Sequence, residues 1–158
     1  MSALKGLRMK HVVLLIALVI PTAGWGAAHC SNEESKAAEE VAPLVNTWPA
    51  LQRAFKQYGH CDDGGIGEGF SESVARLLTN SDPKLHELLK LSKTDPGFRA
   101  FVLRHVDATL LPEQLNAIER QVARNCPSGG ELLCRDISSS ARKAKSELSR
   151  YLSPKRTN

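Results

Sequence analysis

The chain has 158 residues, 42% of them apolar, with 21 Lys and Arg against 17 Asp and Glu, a formal net charge of +4 and a pI near 9.0. Eleven glycines and eight prolines exclude collagen-like and low-complexity disordered classes, and the length holds about one domain, which excludes a multi-domain enzyme. The basic total on its face suggests an acidic partner such as nucleic acid or a membrane surface, an inference that the distribution of the charges removes.

Residues 1 to 28 follow the grammar of a secretory signal peptide. Lys5, Arg8 and Lys10 supply a positive start, Val12 to Ile20 is an unbroken apolar run of nine, and Pro21 opens a small-residue stretch ending Gly26-Ala27-Ala28. A bilayer span needs about 20 apolar residues, so the run is too short for an anchor. The expectation is cleavage after Ala28, no stable membrane insertion, and a periplasmic or secreted mature protein. Lipid attachment would need a small residue directly before Cys30, where His29 stands. The leader carries three of the 21 basic residues and no acid, so the mature part holds 18 against 17, a net charge of +1.

Cys30, Cys61, Cys126 and Cys134 all fall in the mature part. An even count in an oxidising compartment predicts two disulfides. Three connectivities are possible; Cys30 with Cys61 and Cys126 with Cys134 is favoured, because each pair would join ends that short antiparallel helices bring together. The spacings lack the C-x-x-C pairs of structural zinc sites, so no metal and no cofactor is expected.

The mature chain reads as helix throughout. Ser31 and Glu34 have capping-box spacing, opening a polar helix that Pro43 ends. Thr47 caps a segment with Trp48, Leu51, Phe55 and Tyr58 on one face, closed by Gly59. Ile66, Phe70, Val74, Leu77 and Leu78 form the next stripe, so Gly64 to Gly69 belongs to a helix start. Asp82-Pro83 and Asp95-Pro96 each place a capping acid before a first-turn proline, ahead of Leu85, Leu88 and Leu89 and of Phe98, Phe101, Val102 and Val106. Pro112 opens a helix with Leu111, Leu115, Ile118 and Val122 aligned that Asn125-Cys126-Pro127 stops. Ser128 and Glu131 repeat the capping-box spacing before the longest helix, with Leu133, Ile137, Ala141, Ala144, Leu148 and Leu152 aligned. No run alternates as a strand does. The predicted fold is all-α: a compact bundle of six or seven short helices stapled by two disulfides, one domain over residues 29 to 152, followed by a polar tail from 153 to 158.

The densest polar cluster is His60-Cys61-Asp62-Asp63-Gly64-Gly65-Ile66-Gly67-Glu68-Gly69. Paired carboxylates can push their pKa values apart, and bare glycine backbone admits a ligand, so Asp62, Asp63, Glu68 and Glu72 are the candidate binding residues. The competing reading makes the acids helix caps and has Gly65 and Gly69, four apart, admit a packed neighbour. No EF-hand loop, P-loop, dinucleotide fingerprint, H-E-x-x-H or G-x-S-x-G is present, so no catalytic residue is assigned. His86 reads as solvated; His105, beside Asp107 at a helix end, could join Asp107 and Asp63 in a constellation. Charge is segregated: residues 29 to 75 sum to −5 and residues 76 to 158 to +6. The acidic patch suits a cationic partner, and a face of Arg142, Lys143, Lys145 and Arg150 suits an anionic one. No aromatic residues interleave with the basic run, which argues against nucleic acid.

The stretches Cys61-Asp62-Asp63-Gly64, Glu68-Gly69-Phe70-Ser71, Asp95-Pro96-Gly97-Phe98-Arg99-Ala100-Phe101-Val102-Leu103-Arg104-His105 and Cys126-Pro127 resemble a group of small exported bacterial proteins. That resemblance, over about residues 61 to 137, implies a shared family and no particular mechanism. In architecture alone the chain is similar to the periplasmic immunity proteins that neutralise amidase effectors of type VI secretion. The functional expectation is a periplasmic non-catalytic protein-binding module, of the immunity or inhibitor kind, with a protein partner in the cell envelope. The alternative is a small envelope hydrolase or cation-dependent enzyme using Asp62, Asp63, Glu68 and His105. It requires those side chains to converge in one cleft, with at least one carboxylate pKa raised.

Overall fold

The computed structural model describes residues 29–152; the leader and the polar tail of the sequence reading lie outside them. The helices are α1 (Asn32–Val41), α2 (Trp48–Tyr58), α3 (Gly64–Thr79), α4 (Leu85–Thr94), α5 (Pro96–Arg104), α6 (Pro112–Asn125) and α7 (Glu131–Leu152), with 3-10 turns at Ala42–Leu44 and Gly59–Cys61. The described residues thus contain seven α-helices and no strand, the predicted all-α class. No helix among them is long and apolar enough to cross a membrane.

Most helix starts follow local chemistry. Ser31 Oγ accepts from the Glu34 amide at 3.2 Å while Glu34 Oε2 accepts from the Ser31 amide at 3.0 Å, a complete capping box. Thr47 caps α2 through the Ala50 amide, and Asp95 caps α5 through the Phe98 amide at 2.9 Å. Two predicted starts are corrected. Asp82-Pro83 does not open α4: Lys84, left-handed at φ 45°, precedes the helix, and Asp82 accepts from the Lys84 amide in a turn. The Pro83 carbonyl is held instead by the buried Trp48 indole N–H at 2.8 Å, which lays this segment on the core as a loop. The Ser128–Glu131 box is also absent. Gly129, at φ 72°, turns the chain so that its own amide donates to Glu131 Oε1 at 3.0 Å.

The apolar stripes meet in one core that fully buries Trp48, Leu51, Phe70, Leu78, Leu88, Phe98, Phe101, Leu115, Ile118 and Ile137. All four phenylalanines share a ring cluster, with Phe101 4.8 Å from Phe55 and edge-on to Phe70 at 5.1 Å. Cys30–Cys61 ties the start of α1 to the turn before α3, and Cys126–Cys134 clips the α6–α7 hairpin; the favoured pairing is the observed one. On a chain-entropy account these loops contribute about 3.5 and about 2.5 kcal/mol.

The glycine pair divides in its role. A Cβ on Gly69 would fall 3.1 Å from Pro43 Cδ and 3.2 Å from Ala42 Cβ, because α3 lies directly on the 3-10 turn there; a Cβ on Gly65 would meet open space. Gly69→Ala should therefore destabilise by roughly 1–3 kcal/mol through overpacking. Gly65→Ala should stabilise by about 0.5–1 kcal/mol through helix propensity. Urea unfolding midpoints of the two variants, read against the wild type, check both signs.

Candidate functional site

Cys61 is pinned by its disulfide, and Asp62 follows it at once, so that carboxylate enters the protein at a fixed point between the 3-10 turn and α3. Its side chain is 6% exposed and accepts from His105 Nε2 at 3.1 Å and from the Arg104 guanidinium. Gly67 leaves it room: a Cβ there would lie 3.2 Å from Asp62 Oδ1.

His105, just past the end of α5, is itself buried, its ring 4.3 Å from that of Phe101 and 5.8 Å from that of Phe70. Its Nδ1 lies 3.0 Å from Ser71 Oγ, and Ser71 Oγ donates to Asp107 Oδ2 at 2.8 Å. The chain of contacts is satisfied when Nδ1–H donates to Ser71 and Nε2–H donates to Asp62, since the single hydroxyl proton is spent on Asp107. Asp107 Oδ1 in turn accepts from the Thr109 amide, at 2.9 Å, and from the Thr109 hydroxyl. Asp62, His105, Ser71 and Asp107 thus form one closed polar series joining the α3 start, the middle of α3 and the end of α5.

In front of this series runs an open groove of about 340 Å³, walled by Asp62, Asp63, Gly64, Gly67, Glu68, Arg104, His105, Asp107 and Thr109. It shares Glu68 and Thr109 with an adjoining hollow that Glu72 and Gln114 complete. The four candidate acids therefore border one continuous surface but differ in state. Asp63 is the N-cap of α3 and accepts from the Gly64 amide at 2.8 Å, as the capping reading expects. Glu68 and Glu72 are exposed, one turn apart, and make no ion pair or hydrogen bond among the described residues. Asp62, not Asp63, is the partner of His105, which corrects the constellation considered from sequence.

Burial pushes the Asp62 carboxyl up, but the hydrogen bonds and charges of His105 and Arg104 outweigh it and hold the group below its ordinary value. The cleft required by the enzyme alternative is present; this carboxylate is shifted in the opposite direction to the one that alternative needs. Ser71, 1% exposed, lies beneath the groove and does not line it.

Sequence reading missed Ser71, Arg104 and Thr109 as parts of this site. Ser71 was detectable as a hydroxyl at core spacing, three before Val74 and seven before Leu78, both buried. The basic face of α7 is largely neutralised: Arg142 and Lys145 both pair with Glu119 of α6, and Lys143 with Glu147. Among the described residues the one group of three metal-capable side chains is Cys30, His60 and Cys61, whose sulfurs are joined to each other. No family model, curated protein or solved structure matches the chain.

The lowered Asp62 pKa makes stability pH-dependent with a definite sign. Its contribution is fully present above the ordinary carboxylate value of 3.8 and is lost as pH falls through the lower folded value. Asp62→Asn should cost roughly 1–3 kcal/mol at neutral pH by leaving His105 and Arg104 with a weaker acceptor. The gap between variant and wild type should narrow below about pH 4, as chemical denaturation across pH 2–7 would show.

Proposed function

We propose that this chain is a periplasmic, non-catalytic binding module that offers its acidic groove to a cationic surface of a protein partner in the cell envelope, as an immunity or inhibitor protein does. The observation that carries this reading is the pair Glu68 and Glu72. Like charges at i and i+4 on a helix cost a few tenths of a kcal/mol, and among the described residues no cation pairs with either of them. Arg142, Lys143 and Lys145 of α7 are committed to Glu119 and Glu147 instead. An uncompensated acidic surface on a stapled scaffold suits recognition of Lys and Arg side chains, which gains in on-rate and specificity from complementary charge.

The closed polar series behind the groove supports a positioning role for it. Ser71 has its proton committed to Asp107 and its oxygen facing His105, under cover of the fold. A hydrolase reading draws on the same hydrogen-bonded order of Ser71, His105 and Asp62, and predicts that Ser71→Ala abolishes turnover of an envelope peptide or ester. The binding reading predicts that Ser71→Ala lowers stability and leaves partner capture intact.

Capture from an envelope extract on immobilised mature protein, at low and at raised salt, tests the binding reading. The wild type should retain a basic partner that raised salt releases, and Glu68→Gln with Glu72→Gln should weaken retention tenfold or more. Retention that is indifferent to both changes would remove the groove from the function.

A further inference from the structure

Two of the five histidines immediately precede the two cysteines of one disulfide, as His29-Cys30 and His60-Cys61. The fold brings these dipeptides together: the sulfurs of Cys30 and Cys61 and a ring nitrogen of His60 all lie within 4.8 Å of one another. His29 is exposed and adjacent to Cys30. Glu34 Oε1 stands 3.3 Å from His60 Nε2, the kind of carboxylate contact that orients a metal-bound imidazole through its second nitrogen. Two sulfurs on a tetrahedral zinc ion are roughly 3.8 Å apart. The Cys30 and Cys61 Cα atoms, 5.0 Å apart, allow that spread without parting α1 from the 3-10 turn. Cys30 also sits just ahead of the α1 N-terminus, where the helix dipole favours a thiolate.

We propose that, once the Cys30–Cys61 disulfide is reduced, Cys30, Cys61, His60 and His29 form a Cys2His2 site for Zn2+, with Glu34 holding the His60 ring. In the reductive step a dithiol of the thioredoxin class gives two electrons and two protons to the disulfide and leaves as its own disulfide. The two thiols release their protons to solvent as the metal binds. The metal then replaces the covalent crosslink at the same place in the fold, so the residue after Cys61, Asp62, keeps its anchor in either redox state.

The test uses mature protein reduced by a phosphine, freed of it without air, and titrated with Zn2+ against a chromophoric chelator. The reduced protein should take up one Zn2+ per chain and the oxidised protein none. His60→Ala and His29→Ala should each weaken uptake tenfold or more, while His86→Ala leaves it unchanged. Without any variant, bound Zn2+ should protect Cys30 and Cys61 from alkylation while Cys126 and Cys134 are modified. No uptake by the reduced protein, equal uptake by His60→Ala, or protection of the Cys126–Cys134 pair instead would each overturn the proposal.

Discussion

A buried imidazole needs a partner for each ring nitrogen, and meeting that need at His105 organises the site. Its ring lies on Phe101 and Phe70, inside the aromatic cluster, so it cannot turn toward water for those partners. Asp62 meets one nitrogen and Ser71 the other, from two ends of a single stretch of chain that begins at a disulfide. The position of α3 against α5 is thereby set by polar contacts as well as by packing. Ser71 passes the constraint on to Asp107, and Asp107 to the turn at Thr109. The back wall of the groove is therefore held from several elements at once.

In front of that wall, electrostatics are left unbalanced. The ion pairs of the C-terminal half are mostly local to α6 and α7, where Glu119 receives both Arg142 and Lys145. Such exposed pairs stabilise little individually, but they remove those cations from any long-range role. The described residues accordingly include a face where the Glu68 and Glu72 carboxylates gather without an ion-pair partner. Arg104, the cation at its edge, is committed to Asp62 and lies 5.4 Å from the centre of the Phe101 ring. A rigid support behind an uncompensated surface is the combination expected of a binding protein, because little conformational entropy remains to be lost when a partner docks.

Much of the fold was legible because its signals are local. Capping at Ser31, Thr47 and Asp95 depends on residues within three positions, and the apolar stripes depend on the helical period alone. The two mistaken helix starts failed for different reasons: before α7 a local group, the Gly129 amide, took the Glu131 carboxylate, whereas the Asp82-Pro83 start met a contact from elsewhere in the chain. At Pro83 the competitor was the Trp48 indole, 35 residues away in sequence. At Gly65 and Gly69, identical residues with helical spacing, only one lies where α3 meets the 3-10 turn.

The acidic segment from Asp62 to Glu72 was legible as a group, but the individual roles of its members were not. Asp62 and Asp63 are neighbours of the same type, and nothing adjacent to them tells a buried partner of His105 from an exposed cap. Composition, periodicity and cysteine count were enough for an all-helical, doubly stapled domain with segregated charge, because those properties are sums or repeats along the chain. Which acid is buried, which glycine is packed against and, for Arg142 and Lys145, which cations are already spent depend on residues 23 to 43 positions apart meeting in space. Only the tertiary structure makes those meetings, and the site consists of them.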